Sequence, residues 1–326
     1  MNDSKAKKVF ASRAFPQVAI DLLKEAKLEV RVWQLDRPMT QDELIHECQK
    51  SDALICMLSD RIDKEFLNAC KHLDIISQFA VGYDNVDLVE ATKLNIQIGN
   101  TPDAMTEATA DIAFGLMIAT SRKMFYLHKS IIDNQWDFFR PNANLGIELS
   151  GKTLGIVGLG RIGMAMAKRC KGAYGMNVLY HNRKRNLKIE QELNAQFVDF
   201  EELLADSDVV SVHCPLSAET KDIFDKFAFK KMKPSSIFIN TARGAIHNEK
   251  DLIQALNEKQ IWGAGLDVTN PEPMLPDNPL LSMENVCVLP HVGSGTVEAR
   301  DEMARLAAEN IIQFYRTGKV PNQVLL

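Results

Sequence analysis

The 326-residue chain is short of several things, and each shortage removes a class of function. It has no excess of positive charge. At a net charge of −5 it offers no general surface for polyanions, so nucleic acid is not an expected partner and any basic patch must be local. Its six cysteines (Cys48, Cys56, Cys70, Cys170, Cys214 and Cys287) form no C-x-x-C pair. With no leader pattern in MNDSKAKKVF, they read as reduced thiols of a cytoplasmic protein. No apolar run approaches the length of a transmembrane helix, so no membrane role is expected. Neither H-x-x-x-H nor a paired Cys/His cluster occurs, so no metal site is expected. No repeat of solenoid period is visible. What remains is an ordinary globular composition and enough chain for two domains.

What is present is alternation. In the first hundred residues, apolar runs at KKVFAS, LEVRVWQ, DALICML, LDIISQFA and NIQIG are separated by the helix-like stretches VAIDLLKEA, TQDELIHECQ, DKEFLNAC and VDLVEATKL. Strands alternating with helices imply parallel β-α-β units. Thr101-Pro102-Asp103 then predicts a long helix, with Thr101 as N-cap and Pro102 in the first turn, running through AMTEATADIAFGLMIATSRKMFYL. That helix is apolar around much of its circumference and is expected to be buried, at a domain or subunit interface. An irregular stretch, NQWDFFRPNANLGIEL, follows. A second alternating series starts at Gly151, with strands TLGIVG, MNVLYHN, AQFVDF, DVVSVHC, SIFINT, GAGLDV and VCVLP, and the chain closes on an amphipathic helix. The fold class is α/β, with two open parallel sheets.

Gly158-Leu-Gly160-Arg161-Ile162-Gly163 follows an apolar strand and opens a helix, which is the context a dinucleotide-binding loop requires. The first glycine permits the tight turn, the second admits a pyrophosphate, and the third lets helix and strand pack. The helix N-terminus supplies N–H groups and the positive end of the dipole. Eighteen positions beyond Gly163 lies His181, where an NAD site places an acid to accept from the ribose 2′-OH. Here no acid occurs; the sequence continues Asn182-Arg183-Lys184-Arg185. A guanidinium binds a 2′-phosphate that a carboxylate would repel, so NADP(H) is the preferred cofactor, with NAD(H) possible, and Asn182, Arg183 and Lys184 are the selecting residues.

Three later strands end in chemistry: IFIN before Thr241-Ala242-Arg243, GAGL before Asp267 and the turn carrying Glu272, and VCVLP before His291. In open α/β sheets, ligands sit at the carboxyl ends of strands. Arg243, Glu272 and His291 all fall there, and their shared location makes them the candidate catalytic set.

GLGRIG, NTARG, GAGLDV-x-x-PEP and LPH-x-G-S, in this order, together with SQFAVGYDNVD, resemble the D-isomer-specific 2-hydroxyacid dehydrogenases over nearly the whole chain. CMLSDRID, TPDAMTEATAD and LDVTNPEPM are similar to segments of its glyoxylate/hydroxypyruvate reductases and the related 2-ketogluconate reductases. The resemblance implies two Rossmann-like or flavodoxin-like domains with an active-site cleft between them. Residues 1–101 and 292–326 would form a discontinuous substrate domain, and 102–291 the cofactor domain. It implies reduction of glyoxylate or hydroxypyruvate to a D-2-hydroxy acid, with 2-ketogluconate reduction, another D-2-hydroxyacid dehydrogenase activity and a dinucleotide-sensing scaffold as the alternatives. Arg243 would bind and polarise the substrate. His291 would donate the proton, and Glu272 would orient it and favour its charged form. Asp267 would anchor the nicotinamide amide. Thr106, Cys214, Pro215, Thr220, Thr241, Ala242 and Gly293 would line the cofactor. Leu58 and the N–H groups of Val81 and Gly82 would meet the substrate. The resemblance also implies a homodimer through the cofactor domain, and Phe139 falls where such reductases often carry a Trp directed at the partner's site.

Overall fold

The computed structural model describes residues 6–326; residues 1–5, the start of the stretch that shows no leader pattern, lie outside the described residues. The chain divides into two compact units: the residues up to Met105 with Gly295–Leu326, and Thr106–Ser294.

The first unit runs β1 (Lys8–Ala11), α1 (Gln17–Glu25), β2 (Glu29–Val32), α2 (Gln41–Cys48), β3 (Ala53–Cys56), α3 (Lys64–Ala69), β4 (Ile75–Gln78), α4 (Leu88–Lys93) and β5 (Gln97–Gly99). The five strands pair in parallel in the order β2-β1-β3-β4-β5. β3 and β4 are buried at every position, which is why neither alternates apolar with polar residues. Thr40, Asp63 and Asp87 cap the helices that follow them. The C-terminal helix (Val297–Thr317) returns to this unit, and its Ala304, Ala307, Ala308 and Ile311 share a core with Ala19 and Leu23 of α1. Fully buried Asn310 ties that helix down: its Nδ2 donates to Asn100 O at 2.9 Å, and its Oδ1 accepts from Asn322 N–H at 3.2 Å.

The second unit contains α5 (Thr106–Ser121), α6 (Met124–Ile132), β6 (Thr153–Val157), α7 (Arg161–Tyr174), β7 (Asn177–His181), α8 (Leu187–Leu193), β8 (Ala195–Phe197), α9 (Phe200–Asp206), β9 (Val209–Val212), α10 (Lys226–Lys231), β10 (Ile237–Asn240), α11 (Glu249–Asn257), β11 (Gly263–Leu266) and β12 (Val286–Val288). Its sheet is parallel, in the order β12-β11-β10-β9-β6-β7-β8. The order reverses between β6 and β9, and a crevice opens at such a switch point. Every strand expected from the sequence forms.

The long helix does not form as expected. It begins at Thr106 rather than at Thr101, and it breaks before Met124. Asp103 (φ 69°) and Lys123 (φ 55°) are left-handed, a conformation that a right-handed helix cannot pass through. Thr101 is fully buried with its hydroxyl unpartnered, so it caps nothing. The burial expected for this helix also divides at the break. α5 buries Ala110, Ala113, Leu116 and Met117 in the core beneath β10, whereas α6 buries none of its residues. Among the described residues, no helix is long and apolar enough to cross a membrane.

Candidate active site

The glycine loop is made by close backbone approach. Gly158 (φ 95°) follows β6, and a Cβ there would run into the backbone of Cys214, which follows β9. The loops that follow the two strands at the switch point thus come this close only because Gly158 has no side chain. Over Gly160 the reverse holds: a Cβ would meet nothing within 4 Å. That open space lies at the start of α7, where the N–H groups of Arg161, Ile162 and Gly163 have no intrahelical acceptor.

The cationic stretch after β7 is sorted by its contacts. Asn182 turns inward, and its Oδ1 accepts from Leu159 N–H at 2.7 Å, holding the glycine loop. His181 also turns inward, with Nδ1 3.1 Å from Val198 O. Arg185 makes a two-pronged pair with Glu190, both bonds at 2.7 Å, and holds that carboxyl below its ordinary range. Arg183 and Lys184 are exposed and pair with no carboxylate among the described residues.

After β9, burial pushes the Cys214 thiol up to about 11, so it is no thiolate nucleophile. Beside Cys214 and Pro215, the Thr220 hydroxyl donates to Pro215 O at 2.7 Å and accepts from Ser217 N–H at 2.8 Å, which closes that loop. Thr241 Oγ1, at the end of β10, is buried without a partner, with half-buried Ala242 next to it. Thr106 is half-buried at the start of α5. An open cradle at a helix N-terminus and an unpartnered buried hydroxyl further along the same sheet edge fit a dinucleotide.

β10, β11 and β12 are neighbours, and the catalytic candidates leave their C-terminal ends. Glu272 Oε1 is hydrogen-bonded to His291 Nδ1, and both side chains keep some exposure, 42% and 33%. His291 sits at φ 53°, a region histidine enters more readily than most residues. The segment after it is fixed by Asp267, which is 1% exposed. Its two oxygens accept from Val292 N–H at 2.8 Å and Gly293 N–H at 2.7 Å. Burial pushes the Asp267 carboxyl up, and those two N–H groups pull it back. Thr109 Oγ1 donates to Gly293 O at 3.1 Å. Asp267 is therefore a brace for the histidine segment, a task its sequence position did not disclose. Asp267, Thr269, Glu272, Met274, Leu289 and His291 line a cavity of about 370 Å³. Arg243 is half-buried, and its Nη1 donates to Ala242 O at 2.8 Å.

Leu58, Val81 and Gly82 belong to the first unit, just past the ends of β3 and β4. Asn85 Nδ2 joins the two loops by donating to Met57 O at 3.1 Å and Asp60 O at 2.8 Å, and Asn100 Nδ2 holds Val81 O at 2.8 Å. The N–H groups of Val81 and Gly82 donate to no acceptor among the described residues. Phe139 is 84% exposed.

Residues 114–293 match the NAD-binding domain of the D-isomer specific 2-hydroxyacid dehydrogenases. The chain is 44% identical to a glyoxylate reductase of Pyrococcus furiosus over 318 residues, 96% of this chain and 94% of the relative. The TT0316 protein of Thermus thermophilus superposes with a TM-score of 0.91 at 39% identity, covering 98% of this chain and 100% of that one. An NADPH-dependent glyoxylate/hydroxypyruvate reductase of Sinorhizobium meliloti, solved with NADP and malonate, superposes at 0.83 with 28% identity, covering 98% and 97%. The two parallel sheets, the glycine loop at the switch point and these matches agree: the chain belongs to the D-isomer-specific 2-hydroxyacid dehydrogenase family and is an oxidoreductase of nicotinamide dinucleotides and 2-keto or 2-hydroxy acids.

Proposed function

We propose that the chain reduces glyoxylate and hydroxypyruvate to the corresponding 2-hydroxy acids, of D configuration where the product is chiral, with NADPH preferred. The observation that carries this reading is the Glu272–His291 pair at the edge of the sheet, an acid/base device that a hydroxyl-forming reaction needs. With Nδ1 engaged by Glu272, the imidazole has Nε2 left to give a proton to the developing alkoxide. Arg243 binds the carboxylate and carbonyl oxygen and polarises the carbonyl. The N–H groups of Val81 and Gly82, with Leu58, are the substrate-binding candidates of the first unit. Bound NAD(P)H supplies the hydride. Asp267 braces the segment that carries His291 and has lone pairs left for the nicotinamide amide, with Thr106, Thr241, Ala242 and Gly293 lining the same cofactor.

NADPH preference rests on Arg183 and Lys184. Arg185 is committed to Glu190, so these two are the cations that remain for a 2′-phosphate, with the Asn182 Nδ2 as a further donor at the glycine loop. The Sinorhizobium meliloti relative, whose structure holds NADP, supports the same choice. The test is a steady-state panel of glyoxylate, hydroxypyruvate, pyruvate and 2-ketogluconate, with NADPH and with NADH, for the wild type and Arg183→Ala. The wild type should prefer NADPH and the first two acids. Arg183→Ala should lose about tenfold or more in kcat/KM with NADPH and little with NADH, the cost of a charge-assisted pair. An unchanged ratio returns the stretch to a solvated loop, and no turnover of any acid favours a sensing scaffold.

We infer a homodimer through the second unit. Ile132 and Trp136 are each 70% exposed and Phe139 84%, on and just beyond α6. Large apolar side chains exposed this close together along the chain suit a surface that another chain covers. Phe139 would then meet the partner subunit. Light scattering that gave the mass of a single chain would remove this part of the reading.

A further inference from the structure

The turn that carries Arg243 is held from behind by two side chains with no part in the reaction above. Asn240, the last residue of β10, is fully buried. Its Oδ1 accepts from Ala242 N–H at 3.0 Å. Its Nδ2 donates to Arg243 O at 2.9 Å and to His247 Nδ1 at 3.0 Å. Both N–H bonds of the amide are therefore used, and its oxygen grips the turn as well.

His247 is also fully buried, and burial lowers its imidazole to about 4, so the ring is neutral. Accepting at Nδ1 places the proton on Nε2, and Nε2 has no hydrogen-bond partner. The ring packs edge-on against Phe238, with centroids 5.6 Å apart. A leucine here would fill the same apolar space without an unpartnered N–H. A polar ring is therefore disfavoured for packing alone, and what it contributes is the one acceptor that fixes the Asn240 amide.

The backbone around the pair leaves little slack. Phe224 N–H donates to Ile246 O at 3.2 Å, and Asn248 N–H to Phe224 O at 3.0 Å, so His247 is laddered to the neighbouring segment. On the other side, a Cβ on Gly244 would overlap the Thr269 carbonyl, so the turn already lies against the start of the loop that bears Glu272. The Arg243 turn is wedged between that loop and the Asn240 amide.

We propose that Asn240 and His247 are positioning residues for Arg243: the imidazole fixes the amide, and the amide fixes the Ala242 N–H and Arg243 carbonyl from which the guanidinium is aimed. This rests on the reading of Arg243 as the substrate-binding cation.

The test uses the full chain with glyoxylate and NADPH. His247→Leu should lower kcat/KM about ten- to a hundredfold, the scale of a misaimed catalytic group. NADPH affinity, read by fluorescence titration, should fall far less than kcat/KM, although Thr241 and Ala242 of the same turn line the proposed cofactor site. His247→Asn places an amide oxygen where Nδ1 was and should stay within about threefold of the wild type. His247→Gln reaches the Nε2 position instead and should behave like the leucine variant. In an Arg243→Ala background, assayed at high enzyme concentration, His247→Leu should cause no further loss, because the two act as one unit. Wild-type kcat/KM in His247→Leu overturns the proposal, as does an equal loss in both backgrounds, which marks a merely structural role. If His247→Leu does not fold, Asn240→Ser carries the same comparison. Wild-type activity in Arg243→Ala would instead overturn the reading of the site, an outcome visible separately.

Discussion

His291→Asn is expected to lower kcat for glyoxylate reduction by about 10²- to 10⁴-fold, the contribution of a positioned general acid. Asparagine suits this test for two reasons. Residue 291 sits at φ 53°, a left-handed conformation that asparagine tolerates and alanine does not. An asparagine can also keep a hydrogen bond to Glu272, so the cavity lined by Asp267 and Glu272 should persist while the transferable proton is lost. Asp267 still accepts from Val292 and Gly293 in this variant, so the segment after residue 291 stays braced. NADPH should therefore bind as before. Stopped-flow measurement of NADPH oxidation, with a parallel binding titration, separates the two effects. A variant that keeps more than about a tenth of wild-type kcat would remove His291 from proton transfer.

Arg243→Ala should be as damaging for a different reason. The guanidinium is asked to hold a carboxylate and to stabilise the oxyanion that forms on the keto oxygen. Loss of one such donor costs about 10²- to 10³-fold in kcat, and loss of the carboxylate contact raises KM as well. The backbone at residue 243 is extended, at φ −146°, so alanine brings no conformational cost. Lysine should rescue little, since a point charge cannot replace a two-pronged planar donor. Steady-state kinetics with glyoxylate would show kcat and KM both altered, and unchanged values of both would dismiss the assignment. The contrast with His291→Asn is informative: the histidine variant should change kcat with little change in KM, because a proton donor acts mainly in the transition state.

Much of this was written in the sequence, though unevenly. The twelve strands were legible because buried parallel strands are short apolar runs, and helices must alternate with them. The glycine loop was legible because three glycines at a strand–helix junction have few other uses. The bounds of the helix after Thr101 are not legible, because nothing in an apolar stretch reports a left-handed residue at Asp103 or Lys123. Position alone makes Asn182 a cofactor residue; that its oxygen also accepts from Leu159 N–H, and so holds the glycine loop, is a tertiary contact that no spacing reports. Arg183, Lys184 and Arg185 look alike in sequence, and only the placement of Glu190 on α8 separates the paired cation from the exposed ones.

By itself the sequence determined the α/β class, the strand count and the place of the glycine loop, and it put forward Arg243, Glu272 and His291 as candidates. These depend on local periodicity and on residue type, which a linear pattern carries. The tertiary structure alone decided that Glu272 meets His291, that Asp267 braces Val292 and Gly293, and that buried His247 holds Asn240 behind Arg243. Those are hydrogen bonds between residues brought together by loop conformation and strand order. Their lengths and angles follow from how the loops close over the sheet edge, which no spacing along the chain encodes.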